Sequence, residues 1–88
     1  MKKTIYTRQS ESLCQMLAAM RKKAGLTQRQ LADKLDRERS FIARLELGER
    51  RLDMVEFFWI CKACGVNPEI FARQLIRKLQ KIQSDGKM

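Results

Sequence analysis

Histidine is absent from the 88 residues. That removes the commonest general acid–base and the commonest neutral metal ligand. The three cysteines, Cys14, Cys61 and Cys64, are an odd number and no secretory leader is expected, so no disulfide framework is expected either. Cys61-Lys62-Ala63-Cys64 has the CxxC spacing. With Cys14 the only further thiol, a four-ligand zinc site would still need a carboxylate. The pair also falls inside an expected buried helix rather than at a helix start, where the dipole would activate a thiol. Core packing is the expected role, and no metal or other cofactor is expected. No window approaches the roughly 20 apolar residues of a membrane span. Four glycines are scattered singly, so there is no Gly-rich phosphate loop, and no nucleophile elbow is present. We expect no enzyme, no membrane partner and a reducing cytoplasmic location on the nucleoid.

What is abundant is positive charge. Nineteen Lys and Arg face ten Asp and Glu, a formal net charge of +9. On so small a surface such a field favours polyanions, nucleic acid foremost. The apolar share of 44% is that of a globular chain, and the length suits one domain. Residues 52–67 hold only Lys62 against Asp53 and Glu56 and are the most apolar stretch. They read as core and interface rather than as ligand surface.

Helical periodicity dominates, with no strand signal and no internal repeat. A first helix is expected from about Ser10 to Lys23, with Leu13, Leu17, Met20 and Ala24 on one face and Gly25 ending it. Thr27-Gln28-Arg29-Gln30 is a capping box that opens a second, short helix, interrupted at Asp36-Arg37. A third runs from about Arg39 to Leu47, burying Ile42 and Leu45. Asp53-Met54-Val55-Glu56 opens a fourth in the same way, with Leu52 and Phe57 at the positions of a hydrophobic staple. Asn67 caps a fifth that starts at Pro68, where the missing N–H costs nothing, and runs to about Gln83. The expected organisation is a flexible basic arm over 1–9, a helical domain over 10–83 and a disordered tail over 84–88.

Residues 28–47 have the spacing of a helix-turn-helix. Ala32 is small where two helices approach, and Asp36 occupies the turn. In such a unit the first helix lies across the phosphates and the second enters the major groove. The stretch Leu26-Thr27-Gln28-Arg29-Gln30-Leu31-Ala32, followed by Arg44-Leu45-Glu46-Leu47-Gly48-Glu49-Arg50-Arg51-Leu52-Asp53, resembles the phage-repressor and Cro family of helix-turn-helix regulators. The family's spaced pattern is met by Arg21, Gly25, Leu26, Thr27, Gln28, Leu31, Ala32, Glu46, Gly48 and Arg50, and the similarity covers about residues 10–72.

The resemblance implies an all-α, five-helix bundle of lambda-repressor type and a sequence-specific regulator of transcription that binds double-stranded DNA, as a repressor or operon controller. Arg39, Ser40, Ala43 and Arg44 correspond to the family's base-reading positions; Arg39 is favoured for a guanine edge, and Arg44 is open between base and phosphate. Gln28, Arg29, Phe41, Arg50 and Arg51 are the expected backbone contacts, with Lys34 a further candidate at the rim. For Phe41 the choice lies between a thymine methyl or sugar and packing on the first helix. Arg21 and Glu46 correspond to a structural ion pair. Two positions depart from the pattern: Asp36 stands where the family has a left-handed glycine, and Glu38 stands where Ser or Thr caps the recognition helix, either to tune specificity or to be neutralised by Arg37 or Arg39.

One recognition helix reads few base pairs, so a homodimer on an inverted repeat is expected. Phe58 and Trp59 on the fourth helix, with Leu75, Leu79 and Ile82 on the fifth, are the expected interface; Ala72, Leu75, Leu79 and Ile82 repeat as in a coiled coil. The alternative for that stripe is packing onto its own bundle. The competing function is an antitoxin-like module whose toxin partner covers the aromatic surface, with DNA binding secondary.

Overall fold

The computed structural model describes residues 7–82. Five helices follow one another: α1 (Arg8–Lys23), α2 (Gln28–Lys34), α3 (Ser40–Glu46), α4 (Met54–Ala63) and α5 (Pro68–Lys81). No strand occurs among the described residues. The all-α helix-turn-helix bundle read from the sequence is the fold observed.

Local chemistry sets the helix starts. Thr27 accepts from the Gln30 amide while the Gln30 side chain accepts from the Thr27 amide. Asp53 and Glu56 repeat the arrangement at α4. The Asn67 side chain accepts from the amides of Glu69 and Ile70, with Pro68 at the first helical position. Each such cap is worth about 1 kcal/mol. Thr7 accepts from the Ser10 amide, which starts α1 two residues ahead of the expected Ser10. Arg8 and Gln9 therefore belong to the helix and not to a basic arm. The rest of that arm, residues 1–6, together with Gln83 and the expected tail over 84–88, lies outside the described residues.

The core is a single cluster built from all five helices. Leu17 and Met20 of α1, Leu31 and Ala32 of α2, Phe41, Ile42 and Leu45 of α3, Phe57, Ile60 and Cys61 of α4, and Phe71 and Leu75 of α5 make it up. Phe57 and Phe71 pack with ring centroids 5.8 Å apart. Cys61 is fully enclosed, and burial raises its thiol pKa to about 11. A thiol held that firmly protonated is neither a nucleophile nor a ready metal ligand. Among the described residues no group of His, Cys, Asp and Glu is placed to hold a metal ion, and no helix is long and apolar enough to cross a membrane.

The fifth helix corrects an expectation. Leu75, assigned to an intermolecular stripe, is only 8% exposed and points into its own bundle. Leu79 packs partly against the same cluster, and Ile82 closes the helix as its C-cap, half-buried. The stripe is the helix's inner face, because Phe71 and Leu75, one turn apart, both turn toward α1 and α4. The large apolar side chains that α5 leaves in solvent are Ile70 and Ile76.

Candidate nucleic-acid interface

The α2–α3 pair is held at its corner by Ala32, which has no exposed surface. A larger side chain would force the two helices apart. The chain leaves α2 through Asp36, the one non-glycine residue with positive φ among those described, at 54°. There the Arg37 amide donates back to the Ala32 carbonyl at 2.9 Å. Aspartate tolerates this left-handed conformation better than most side chains, so the turn forms without the glycine usual in the resemblance.

The third helix turns Ile42 and Leu45 inward and leaves Arg39, Ser40 and Arg44 exposed, with Ala43 half-buried between them. Arg39 is the N-cap residue, and its guanidinium, a donor only, makes no side-chain cap bond. Glu38 approaches neither Arg37 nor Arg39. It faces Arg44 at 3.8 Å, with both side chains at least half exposed. An exposed pair at that distance contributes little.

Behind α3 the Arg21–Glu46 pair closes the unit. Arg21 Nε donates to Glu46 Oε2 at 2.7 Å and Nη2 donates to Oε1 at 3.1 Å. Its Nη1 donates to the Leu26 carbonyl at 2.8 Å. The hydrogen bond to Glu46 raises the Arg21 pKa above its ordinary value, against the opposing effect of burial. The Gln28 side-chain amide also donates to Glu46 Oε1, at 2.9 Å. Gln28 is thus oriented by the end of α3, with its backbone at the start of α2.

Phe41 requires a correction. Expected at the DNA backbone, it is 1% exposed and lies in the core. In a helix of seven residues the inner face takes Phe41 together with Ile42 and Leu45, leaving no path from the ring to a phosphate. What covers its outer side is charge. The Arg37 guanidinium carbon lies 3.8 Å from the ring centroid, and that of Arg50 lies 4.8 Å away. Both arginines converge on one carboxylate, Glu56. Arg50 Nη1 donates to Glu56 Oε1 at 2.9 Å and Nη2 to Oε2 at 2.7 Å. Arg37 Nη1 donates to Oε2 at 3.2 Å. Arg50 also donates to the Arg51 carbonyl. Arg50, expected at the DNA backbone, is therefore engaged within the protein. Arg29, Lys34 and Arg51 do stand exposed.

Glu56 is the residue of this site whose role shows least in the sequence. It was legible as a cap and not as the centre of a clamp, because no spacing rule joins it to Arg37, 19 positions away. The hydrogen bonds from Arg50, with those from the Asp53 amide and Arg37, lower its pKa to about 2 despite burial, which opposes them. The clamp borders an open groove of about 300 Å³ lined by Leu35, Arg37, Phe41, Val55, Glu56 and Trp59. Next to it, Trp59 is 56% exposed and meets Phe58 edge-on, with centroids 5.0 Å apart. Met54 and Val55 also stand in solvent on α4.

A helix-turn-helix family model of the Cro/C1 type matches residues 17–71. The chain belongs to the Cro/C1-type helix-turn-helix family. Membership makes it a DNA-binding transcription regulator, with α3 in the place of the recognition helix. Among solved structures, an XRE-family like protein from Pseudomonas syringae pv. tomato str. DC3000 is 36% identical, with 80% of this chain and 85% of that one covered and a TM-score of 0.75. A mutant of the restriction-modification controller protein C.Esp1396I is 25% identical over 90% of this chain and all of that one, with a TM-score of 0.76. The tetramer of the same controller in complex with its natural 35 base-pair operator gives a TM-score of 0.74 at 25% identity, covering 86% of this chain and 100% of that one. No curated protein matches the chain.

Proposed function

We propose that this regulator binds an inverted-repeat operator as a homodimer and acts as a repressor or operon controller. The observation that carries the reading is the outer face of α3. Arg39, Ser40, Ala43 and Arg44 share one accessible side of a helix whose other side is locked into the core. Such a helix presents its polar edge to the major groove, and a guanidinium there bonds two acceptors of guanine at once. Arg39 is the base reader, and Arg44 takes a base or a neighbouring phosphate. Arg29 and Arg51, with Gln28 at the start of α2, make the backbone contacts that set register. The solved operator complex of C.Esp1396I supports this reading.

Phe58 and Trp59 form the core of the homodimer interface. Large aromatics in solvent, bordered by polar residues, are typical anchors of association. The second copy places its own α3 about one helical turn, ~34 Å, along the DNA.

The deciding experiment is selection of bound fragments from a genomic library by the purified protein, titrated at two salt concentrations. Recovery of an inverted repeat with half-sites one turn apart establishes the operator reading. Recovery of random DNA alone, lost at moderate salt, would refute it. The second reading is an antitoxin-like module in which a toxin covers the Trp59 surface. Co-purification of an acidic polypeptide would favour that reading.

A further inference from the structure

The clamp on Phe41 holds charges that the operator reading does not use. Arg37 stands in the turn before α3 and Arg50 in the loop after it, so the two cations flank the recognition helix. Any cation there lies within reach of the phosphates that border the groove. Yet both guanidinium groups are turned onto the Phe41 ring and bonded to Glu56. The Glu56 side chain is 13% exposed, whereas those of Arg37 and Arg50 keep 37% and 31%. The carboxylate is enclosed, and the cations sit at the surface with their charge already answered.

Phosphate contacts are blind to sequence. Each one raises affinity for every duplex alike and steepens the dependence on salt. In a chain of net charge +9, two further free arginines beside the recognition helix would strengthen binding to every duplex and steepen its loss with salt. We propose that Glu56 is a positioning residue that limits sequence-independent affinity: by holding Arg37 and Arg50 on Phe41, it withholds two cations from the DNA backbone. The inference rests on the operator-binding reading for its biological sense and on the clamp geometry for its mechanism. Glu56 touches no DNA in this account; it acts through the two arginines.

The test is Glu56→Gln. Glutamine keeps the acceptor oxygen of the α4 cap while removing the charge that holds the arginines. Glu69→Gln, which changes the net charge equally at the start of α5, is the control. Binding of a random-sequence duplex is measured by fluorescence anisotropy from about 50 mM to about 200 mM salt. For Glu56→Gln, random-duplex affinity is expected to rise at least about threefold at low salt, and the slope of log K against log salt to steepen by about 1–2, one for each freed cation. Affinity for the selected operator rises by a similar factor, because phosphate contacts do not read sequence. A slope and affinity no different from those of Glu69→Gln would overturn the proposal.

Should Glu56→Gln fail to fold, Arg37→Gln decides, because Arg50 still holds Glu56. A withheld cation leaves the salt slope unchanged on removal, whereas Arg29→Gln lowers it by about 1; a slope lowered by Arg37→Gln overturns the proposal. If no operator is recovered from the library, the operator reading fails on its own, and the random-duplex slopes still decide what Glu56 does.

Discussion

Arg21→Ala is the sharpest perturbation of the fold. Its guanidinium carries three hydrogen bonds, two to Glu46 and one to the Leu26 carbonyl, and each side chain of the pair keeps only 10% exposure. Truncation leaves the Glu46 carboxylate in a nearly closed site with Gln28 as its remaining donor. Removing one partner of a buried pair costs about 3–5 kcal/mol. The Gln28 bond places this case near the lower end, at about 3 kcal/mol, a large share of the roughly 5–15 kcal/mol that holds a domain together. For a chain of this length each kcal/mol moves Tm by about 4–8 °C, so thermal unfolding followed by far-UV circular dichroism should shift down by about 12–24 °C. The same logic requires that Arg21→Met with Glu46→Leu recover most of the loss, because no charge is then stranded. A single-variant cost below about 1 kcal/mol would mean that the pair behaves as a solvated surface contact, and the reasoning would fail. So would a double variant no better than Arg21→Ala.

Arg39→Ala should lower operator affinity by about tenfold or more, the equivalent of about 1–3 kcal/mol for a two-point guanine contact, with an unchanged Tm; an alanine variant that still prefers its operator over random DNA would remove Arg39 as the base reader. Asp36→Gly should stabilise the protein by up to about 1 kcal/mol, since glycine adopts positive φ without strain, whereas Asp36→Val should destabilise it; urea midpoints decide. Glu56 has a folded pKa of about 2 against an ordinary 4.5. Its contribution to stability is therefore complete above about pH 4.5 and is lost as pH falls toward 2, so the acid limb of an unfolding titration should flatten in Glu56→Gln. Trp59→Lys should abolish the proposed homodimer in analytical ultracentrifugation without loss of helix; a dimer that persists would place the interface elsewhere.

The helix starts were the most legible part of the sequence. Caps are local chemistry, completed within three residues, and Thr27, Asp53 and Asn67 each act where the pattern places them. Thr7 acts by the same chemistry but is masked in the sequence by Ser10, three residues on, which carries the same kind of hydroxyl. Periodicity alone told less. The apolar repeat through Leu75 and Leu79 fixes which face of α5 is apolar, and says nothing about whether its own bundle or another copy covers that face. Phe41 was ambiguous for a related reason: a two-turn helix is so short that its first residues can face either way, and packing from α2 and α4 decides. The Arg37–Glu56 bond joins the helix-turn-helix turn to the first turn of α4. Neither residue carries a local signal of the other, and only the folded chain brings them together.

The lone tryptophan stands on the outer surface of α4, more than half in solvent. Tryptophan emission follows the polarity around the indole ring, so here it makes a poor witness of unfolding: the ring is wet before the helices come apart and wet afterwards. It is well placed for a different event. Anything that settles over α4 dries the indole and moves its emission to shorter wavelength, and dilution reverses the shift. The chain thus carries a built-in optical probe of what docks on α4, readable without a label and at the low protein concentrations where association begins.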